Sequence, residues 1–286
     1  MKVAICFWGL TRSLKYTIHS IRAKILKQLD DKNIEYKIFL HTYVFDSAYN
    51  NPRANERNIK LDFDEYKLLN PDYVEIDNQD QIKKQIGLEK YRTQKDPWET
   101  NYVSVDNYLC AMYSKKRLGQ MLQASNEQFD AYLFLRPDVM FLNNFDVRYL
   151  TLIRNDVVCI PNFALFPKFN DRAFLCSKHN VYKYTNLFDE LYVYSKTHEL
   201  HSERSQYNLL VFLHKLKIQY IPFHFTRVRA NGIILNDLKR NKRGNRMTFI
   251  NSRQNNHIVP VVTRSEQQTK PKNKRHNIPN NLFFRM

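Results

Sequence analysis

Short continuous apolar runs alternate along this chain with stretches in which apolar residues recur every third or fourth position. Lys2 to Trp8 (KVAICFW) is an apolar run closed by Gly9, and Ser13 to Leu29 then carries Leu14, Ile18, Ile21, Ile25 and Leu29 at the spacing of one helix face. That order predicts a strand, a turn and a helix. Tyr36 to Tyr43 (YKIFLHTY) predicts a second buried strand, and Tyr73 to Ile76, ending on Asp77, a short third one. Between them Asp46 to Lys60 is polar and Asn-rich and predicts a mobile loop. Trp98 to Gln123 contains no proline and predicts a long amphipathic helix. It runs into YLFLRPDVMFL, Tyr132 to Leu142, where two apolar runs close around Arg136, Pro137 and Asp138. Further on, the pattern predicts a strand over Asp156 to Pro161, helices over Val181 to Ser195 and Ser205 to Leu216, and a strand over Ile218 to Phe225.

Strands alternating with helices imply an α/β fold with a mixed, mainly parallel sheet flanked by helices. After Asn236 the periodicity fades and Asn, Arg, Lys and Gln dominate, so a single domain is expected over residues 1–236, with a basic, poorly ordered extension over 237–286. The formal charge of +17 over 286 residues suggests an anionic partner, but from Lys239 to the end twelve basic residues stand against one acid, Glu266. The excess therefore lies mainly in the tail, as a possible contact for an anionic surface; no specific nucleic-acid partner is expected of the folded part. Five glycines and no GxGxxG or GxxxxGK[ST] exclude the glycine-rich phosphate cradles. Cys6, Cys110, Cys159 and Cys176 stand singly in apolar surroundings, which points to packed, reduced thiols. VAICFWGL is too short for a signal-peptide core or a membrane span, so a cytoplasmic protein is expected.

Ligands of open α/β sheets bind outside the carboxyl ends of the strands. Here those ends carry WGLTR (Trp8 to Arg12), HTY (His41, Thr42, Tyr43), Asp77 and RPD. Pro137 should end the ladder, and Arg136 and Asp138, two apart, fall on one face of a pleated strand. Two readings stay open for them. The carboxylate can hold a Mg2+- or Mn2+-diphosphate with the guanidinium on phosphate, or the two can form a local ion pair that closes the strand.

The order of CFWGLTRS, FLHTY, FDAYLFLRPDVMF, NDRAFLCS and HSERSQYNLL is similar to a family of glycosyltransferases of the GT-A fold, resembling those of large DNA viruses (chlorovirus-like). The resemblance covers Lys2 to Gly232. It implies a nucleotide-binding half over about 1–142 and an acceptor half over about 143–236. It also implies a nucleotide-sugar donor, most readily UDP-linked and plausibly UDP-xylose, a glycan or glycoprotein acceptor and a divalent metal, Mn2+ before Mg2+. The usual metal motif is Asp-x-Asp, and Arg136 stands at its first acidic place. On this reading Asp138 is a metal ligand and His224 a second one, although a histidine between Phe223 and Phe225 also suits a core strand. Gly9 and Arg12 lie where a phosphate would meet the first helix. Trp8 or Tyr43 would stack on a base, Asp77 would accept from uracil or ribose, and His41, Thr42, Lys115, Arg136 and Arg229 complete the donor site. An inverting transfer, slightly favoured, needs a carboxylate base, for which Glu203 is the first candidate, with Asp171 and Arg172 placing the acceptor. Two alternatives are a nucleic-acid or anionic-surface binder acting through the tail and a catalytically inactive GT-A domain.

Overall fold

The computed structural model describes residues 1–51 and 54–238, so the poorly ordered extension expected after residue 236 lies outside the described residues from Lys239 onward. β1 (Lys2–Trp8) leads through a turn into α1 (Leu14–Ile21), which continues by one π-helical turn, Arg22–Leu26, into α2 (Lys27–Asp30). β2 (Glu35–Val44) is followed by β3 (Tyr49–Asn51), β4 (Glu56–Ile59), β5 (Tyr73–Asn78), α3 (Gln79–Ile86) and the long α4 (Val103–Ala124). β6 (Ala131–Leu135) and β7 (Val139–Phe141) flank the RPD tripeptide. Then come β8 (Val157–Pro161), β9 (Ala173–Ser177), α5 (Val181–Thr185), α6 (Leu187–Ser195), α7 (Ser202–Asn208), β10 (Lys217–Ile221) and β11 (Phe225–Arg227).

Seven strands make one sheet in the order β10-β8-β9-β6-β1-β2-β5. β1 is parallel to β2 and β6, β2 to β5, and β8 to β10, while β9 runs antiparallel to β6 and β8. The expected α/β class with a mixed, mainly parallel sheet flanked by helices is what the chain adopts. Both faces of the inner strands β1, β6 and β9 are covered, which is why β1 and β6 read as unbroken apolar runs. Pleating sorts β1 into Ala4, Cys6 and Trp8, packed with α4, α5 and α6, and Val3, Ile5 and Phe7, packed with α1. β6 divides the same way, with Tyr132 and Phe134 toward α4 and Leu133 and Leu135 toward α1.

Several elements differ from the sequence pattern, each through a contact distant in sequence or a backbone knot. The segment expected as a loop over Asp46 to Lys60 contains the antiparallel pair β3 and β4, and Glu56 within it is buried because its carboxylate accepts from the Ala230 N–H at 2.7 Å. α4 starts at Val103 rather than Trp98 because the Asp96 carboxylate ties up the N–H groups of Trp98, Thr100 and Tyr102. The helix expected over Val181 to Ser195 divides at Asn186. The strand expected over Ile218 to Phe225 divides at Pro222, beyond which the chain leaves the main sheet and β11 pairs antiparallel with β7. β9 was not foreseen at all.

Gly119 on α4 lies against α5. An added Cβ there would fall 2.5 Å from Thr185 Oγ1 and 2.7 Å from Thr185 Cβ, and Thr185 is fully buried. Gly119→Ala gains about 1 kcal/mol of helix propensity, but overpacking of about 1–3 kcal/mol opposes it. A net loss of stability in urea unfolding is expected; an unchanged or raised midpoint would contradict this packing.

Candidate active site

The site grows from the place where β6 stops. Leu135 is the last residue of the strand, Pro137 has no N–H to continue the ladder, and its carbonyl instead accepts from Thr17 Oγ1 on α1 at 2.6 Å. Ser20 Oγ accepts from the Phe141 N–H at 3.0 Å, and Ser13 Oγ donates to the Val228 carbonyl at 3.0 Å. These bonds fix α1, the RPD turn and the segment after β11 as one unit. Arg136 continues the alternation of Tyr132 and Phe134, so it emerges on the Trp8 side, with its Cζ 5.5 Å from the Trp8 ring.

Asp138 is 2% exposed and both its oxygens are engaged by guanidinium groups. Arg136 grips it with Nε on Oδ1 at 2.7 Å and Nη2 on Oδ2 at 2.6 Å, and Arg12 adds Nη2 on Oδ2 at 2.8 Å. Burial by itself would raise this carboxyl; Arg136 and then Arg12 outweigh it and hold it well below the usual carboxylate range. The other terminal nitrogen of Arg12 meets the Tyr49 hydroxyl of the β3–β4 hairpin.

Two more arginines arrive on the segment after β11. Gly232, at φ 83, closes a turn whose N–H donates to the Arg229 carbonyl at 2.8 Å, a conformation that favours glycine. The chain then doubles back, Leu235 N–H on the Arg227 carbonyl, and delivers Asp237 to Arg227 as a forked pair with Nη2–Oδ1 2.6 Å and Nε–Oδ2 2.9 Å. Arg229 Nη1 lies 4.0 Å from Glu56 Oε2. Burial, Arg227 and Arg12 all press the Arg229 pKa downward. A guanidinium keeps its proton in a protein, so the consequence is an under-neutralised cation. Arg172 immediately precedes the unforeseen strand: the register Leu135↔Ala173 starts β9 where β6 ends, which sets Arg172 at the same edge of the sheet as Arg136. It is buried, pushed downward by burial and by Arg227, and its Nη1 has no hydrogen-bond partner among the described residues.

On the α4 side Lys115 is fully buried, its Nζ 4.4 Å from the Trp8 ring, 4.7 Å from the Tyr184 ring and 2.7 Å from Gln206 Oε1. Burial pushes its pKa down to about 7, against the pull of Asp171 and Glu203. Glu203 opens α7 one turn before Gln206, accepts from the Ser202 hydroxyl and lies 3.3 Å from His201 Nδ1. Burial and then Asp171 raise its carboxyl, with Arg172 opposing. His201 is stacked between Trp98 and Phe166, and a cleft of about 220 Å³, bordered by Asp96, Phe166, His201 and Arg204 among others, opens there.

The structure thus gathers Trp8, Arg12, Lys115, Arg136, Asp138, Asp171, Arg172, Glu203 and Arg229 into one network. Other residues expected there are occupied elsewhere. His41 is buried, with Nδ1 on Ser114 Oγ at 2.8 Å and Nε2 on Asp77 Oδ2 at 3.1 Å; Ser114 Oγ also accepts from the Gly9 N–H at 3.0 Å. This relay clamps α4 to the ends of β1, β2 and β5, and burial keeps His41 below its ordinary pKa. Tyr43 is buried with its hydroxyl on the Cys110 carbonyl, so its ring is not open to a base, and Thr42 lies on the opposite face of β2 from His41. Trp8 is 4% exposed and serves as a platform for cations. His224 bonds Asn162 Oδ1 at 3.0 Å, and its carbonyl pairs with Leu142 while Asp138 pairs with Val228. Four residues of strand, about 13 Å, separate it from Asp138.

A divalent metal at Asp138 does not fit these residues. Each oxygen already accepts from a guanidinium, His224 is distant, and among the described residues no group of three His, Cys, Asp or Glu could hold a metal ion. At an effective dielectric of 20, each unit of added positive charge at about 4 Å from a guanidinium meets about 4 kcal/mol of repulsion. Sequence reasoning missed Glu56, Ser114, Gln206 and Asp237. Asp237 carried a usable signal, a lone acid ten residues after Arg227 across Asn231-Gly232; the others depend on tertiary contacts alone.

No protein-family model matches the chain, and no curated protein does. Among solved structures it is similar to mouse xyloside xylosyltransferase 1 in its apo form, with a TM-score of 0.40 and 10% identity over 77% of this chain and 85% of that one. At that level of likeness the chemistry rests on the residues themselves.

Lys115 makes the network visible to pH. Between the folded value of about 7 and the ordinary 10.5, the unfolded chain binds the extra proton, so this residue makes stability rise with pH across that window. The stability difference between wild type and Lys115→Met should therefore grow in favour of wild type from pH 7 to 10, by on the order of 3 kcal/mol in urea titrations. A pH-independent difference would contradict a neutralised lysine.

Proposed function

We propose that the chain is a glycosyltransferase that takes a sugar from a nucleoside-diphosphate donor, UDP-linked in the first instance, and passes it to a hydroxyl of a glycan acceptor. The observation that carries this reading is an unmet demand for negative charge at the carboxyl ends of β1 and β6. Lys115, Arg172 and Arg229 are all pressed below their ordinary values by burial, and among the described residues buried nitrogens of Arg12 and Arg172 have no hydrogen-bond partner. A diphosphate supplies oxygens and charge together. Beside it stands Glu203, a carboxylate with a raised pKa, as a base for an acceptor hydroxyl needs.

In this reading the acceptor enters by the cleft at Phe166 and His201, where Asp96, Glu199 and Arg204 can hydrogen-bond sugar hydroxyls. Glu203 takes the hydroxyl proton as the acceptor oxygen bonds to the anomeric carbon. The bond from that carbon to the diphosphate breaks, and the departing charge is held by Arg136, Arg172 and Arg229. Asp171, coupled to Lys115, Arg136 and Glu203, orients the reacting groups.

A thermal-shift screen of the full chain over UDP, GDP, CMP and their sugars tests this, since a ligand of the native state raises the melting temperature by mass action. UDP or a UDP-sugar is expected to stabilise. Glu203→Gln should keep that shift while losing about 10²–10⁴-fold in transfer rate, and the wild-type rate should fall on the acid side at a pH above the ordinary carboxylate value. No shift with any nucleotide, together with binding to DNA that disappears as salt is raised, would favour the anionic-surface reading instead.

A further inference from the structure

We infer that the nucleoside diphosphate is neutralised by a cradle of arginines in place of a divalent metal, and that the acids around it hold arginines. This rests on the nucleotide-sugar reading above and concerns how that site meets the phosphate charge.

Three acids from three separate segments lie against these arginines, two of them in forked pairs. Asp138, at the end of β6, grips Arg136 and Arg12. Asp237, after the turn that follows β11, forks onto Arg227. Glu56, on the β3–β4 hairpin, fixes the Ala230 N–H and lies against Arg229. The four arginines are mutually coupled around Asp138: Arg12, Arg136 and Arg229 each act on its carboxylate, and Arg227 feels both Arg136 and Asp138. Each guanidinium carries five N–H groups, and one forked carboxylate occupies only two of them. The remaining edges keep some exposure: the side chains of Arg136, Arg227 and Arg229 are 22%, 24% and 14% accessible. Carboxylates committed in this way set the direction of the free edges, and planar N–H forks match phosphate oxygens bidentately.

A metal ligand needs a carboxylate oxygen facing the ion. Each Asp138 oxygen already accepts from a guanidinium, and turning one toward an ion displaces Arg136, whose released cation would then border a dication. Arg136 is the residue that decides between the two designs, because it occupies both Asp138 oxygens from the place where a second acid would otherwise bring a metal.

Calorimetric titration of UDP into the full-length protein, in EDTA and in excess MnCl2, tests the inference without requiring turnover. Wild type is expected to bind with affinities within about threefold of each other in the two buffers. Arg136→Lys, which keeps the charge but loses the fork, should bind about tenfold more weakly in both, with no response to Mn2+. Arg136→Asp should bind weakly in EDTA and regain affinity with Mn2+; melting curves establish that both variants are folded, and the wild-type comparison stands if one is not. UDP binding by wild type that requires Mn2+ would overturn the metal-free cradle while leaving the glycosyltransferase reading intact. Absence of UDP binding in either buffer would overturn that reading, and this inference with it.

Discussion

The two-sided grip of Arg12 and Arg136 on Asp138 is the interaction on which the site depends. It joins the turn before the first helix to the end of the central strand across 126 positions of sequence, at a carboxylate that water barely reaches. Taking a buried carboxylate out of water is costly, and the charge is tolerable only because two cations and short hydrogen bonds surround it. Removing one partner of such an arrangement typically costs about 3–5 kcal/mol, so the acid and its arginines are retained or lost together. Everything nearby is referred to this point: the Val228 N–H donates to the Asp138 carbonyl, Thr17 holds Pro137, and the Arg227–Arg229 turn is suspended from the same strand end.

Around that fixed point the fold accumulates positive charge faster than it supplies acids. Trp8 gives Lys115 and Arg136 an aromatic surface to rest on, which eases burial of a cation without supplying a counter-charge. Asp237 and Glu56 neutralise Arg227 and part of Arg229, and Arg172 remains short of partners among the described residues. An interior arranged this way is poised for an anion with several oxygens. The raised Glu203 acts on Lys115 and feels both Asp171 and Arg172, so the candidate base is electrostatically tied to the same cluster of cations.

How much of this was legible in the sequence follows from the range of each interaction. The strands β1, β2 and β6 and the first helix were legible because burial on a two-sided sheet leaves an unbroken apolar run, and one helix face leaves its own spacing. The strand ends WGLTR and RPD were legible as polar residues in the wrong place, and Arg12, Arg136 and Asp138 do meet. The role of Asp138 was not, because a carboxylate two residues from an arginine reads equally well as a metal ligand or as an ion pair until the position of Arg12 is known. β9 hid in NDRAFLCS, whose polar opening masks five buried residues. The Asn-rich segment before Lys60 hid Glu56, whose partner Ala230 lies 174 positions away. His41 and Tyr43 were read correctly as strand-end polar residues, but the helix that consumes their hydrogen bonds was invisible to local pattern.

The most direct test of the arginine-held anion site is a crystal structure of the full chain soaked with UDP and Mn2+ together. The account predicts diphosphate oxygens within hydrogen-bond distance of Arg136 and at least one of Arg172 and Arg229, with Asp138 still gripped by Arg12 and Arg136. A Mn2+ ion bridging Asp138 to the diphosphate, or UDP bound away from these arginines, would contradict it.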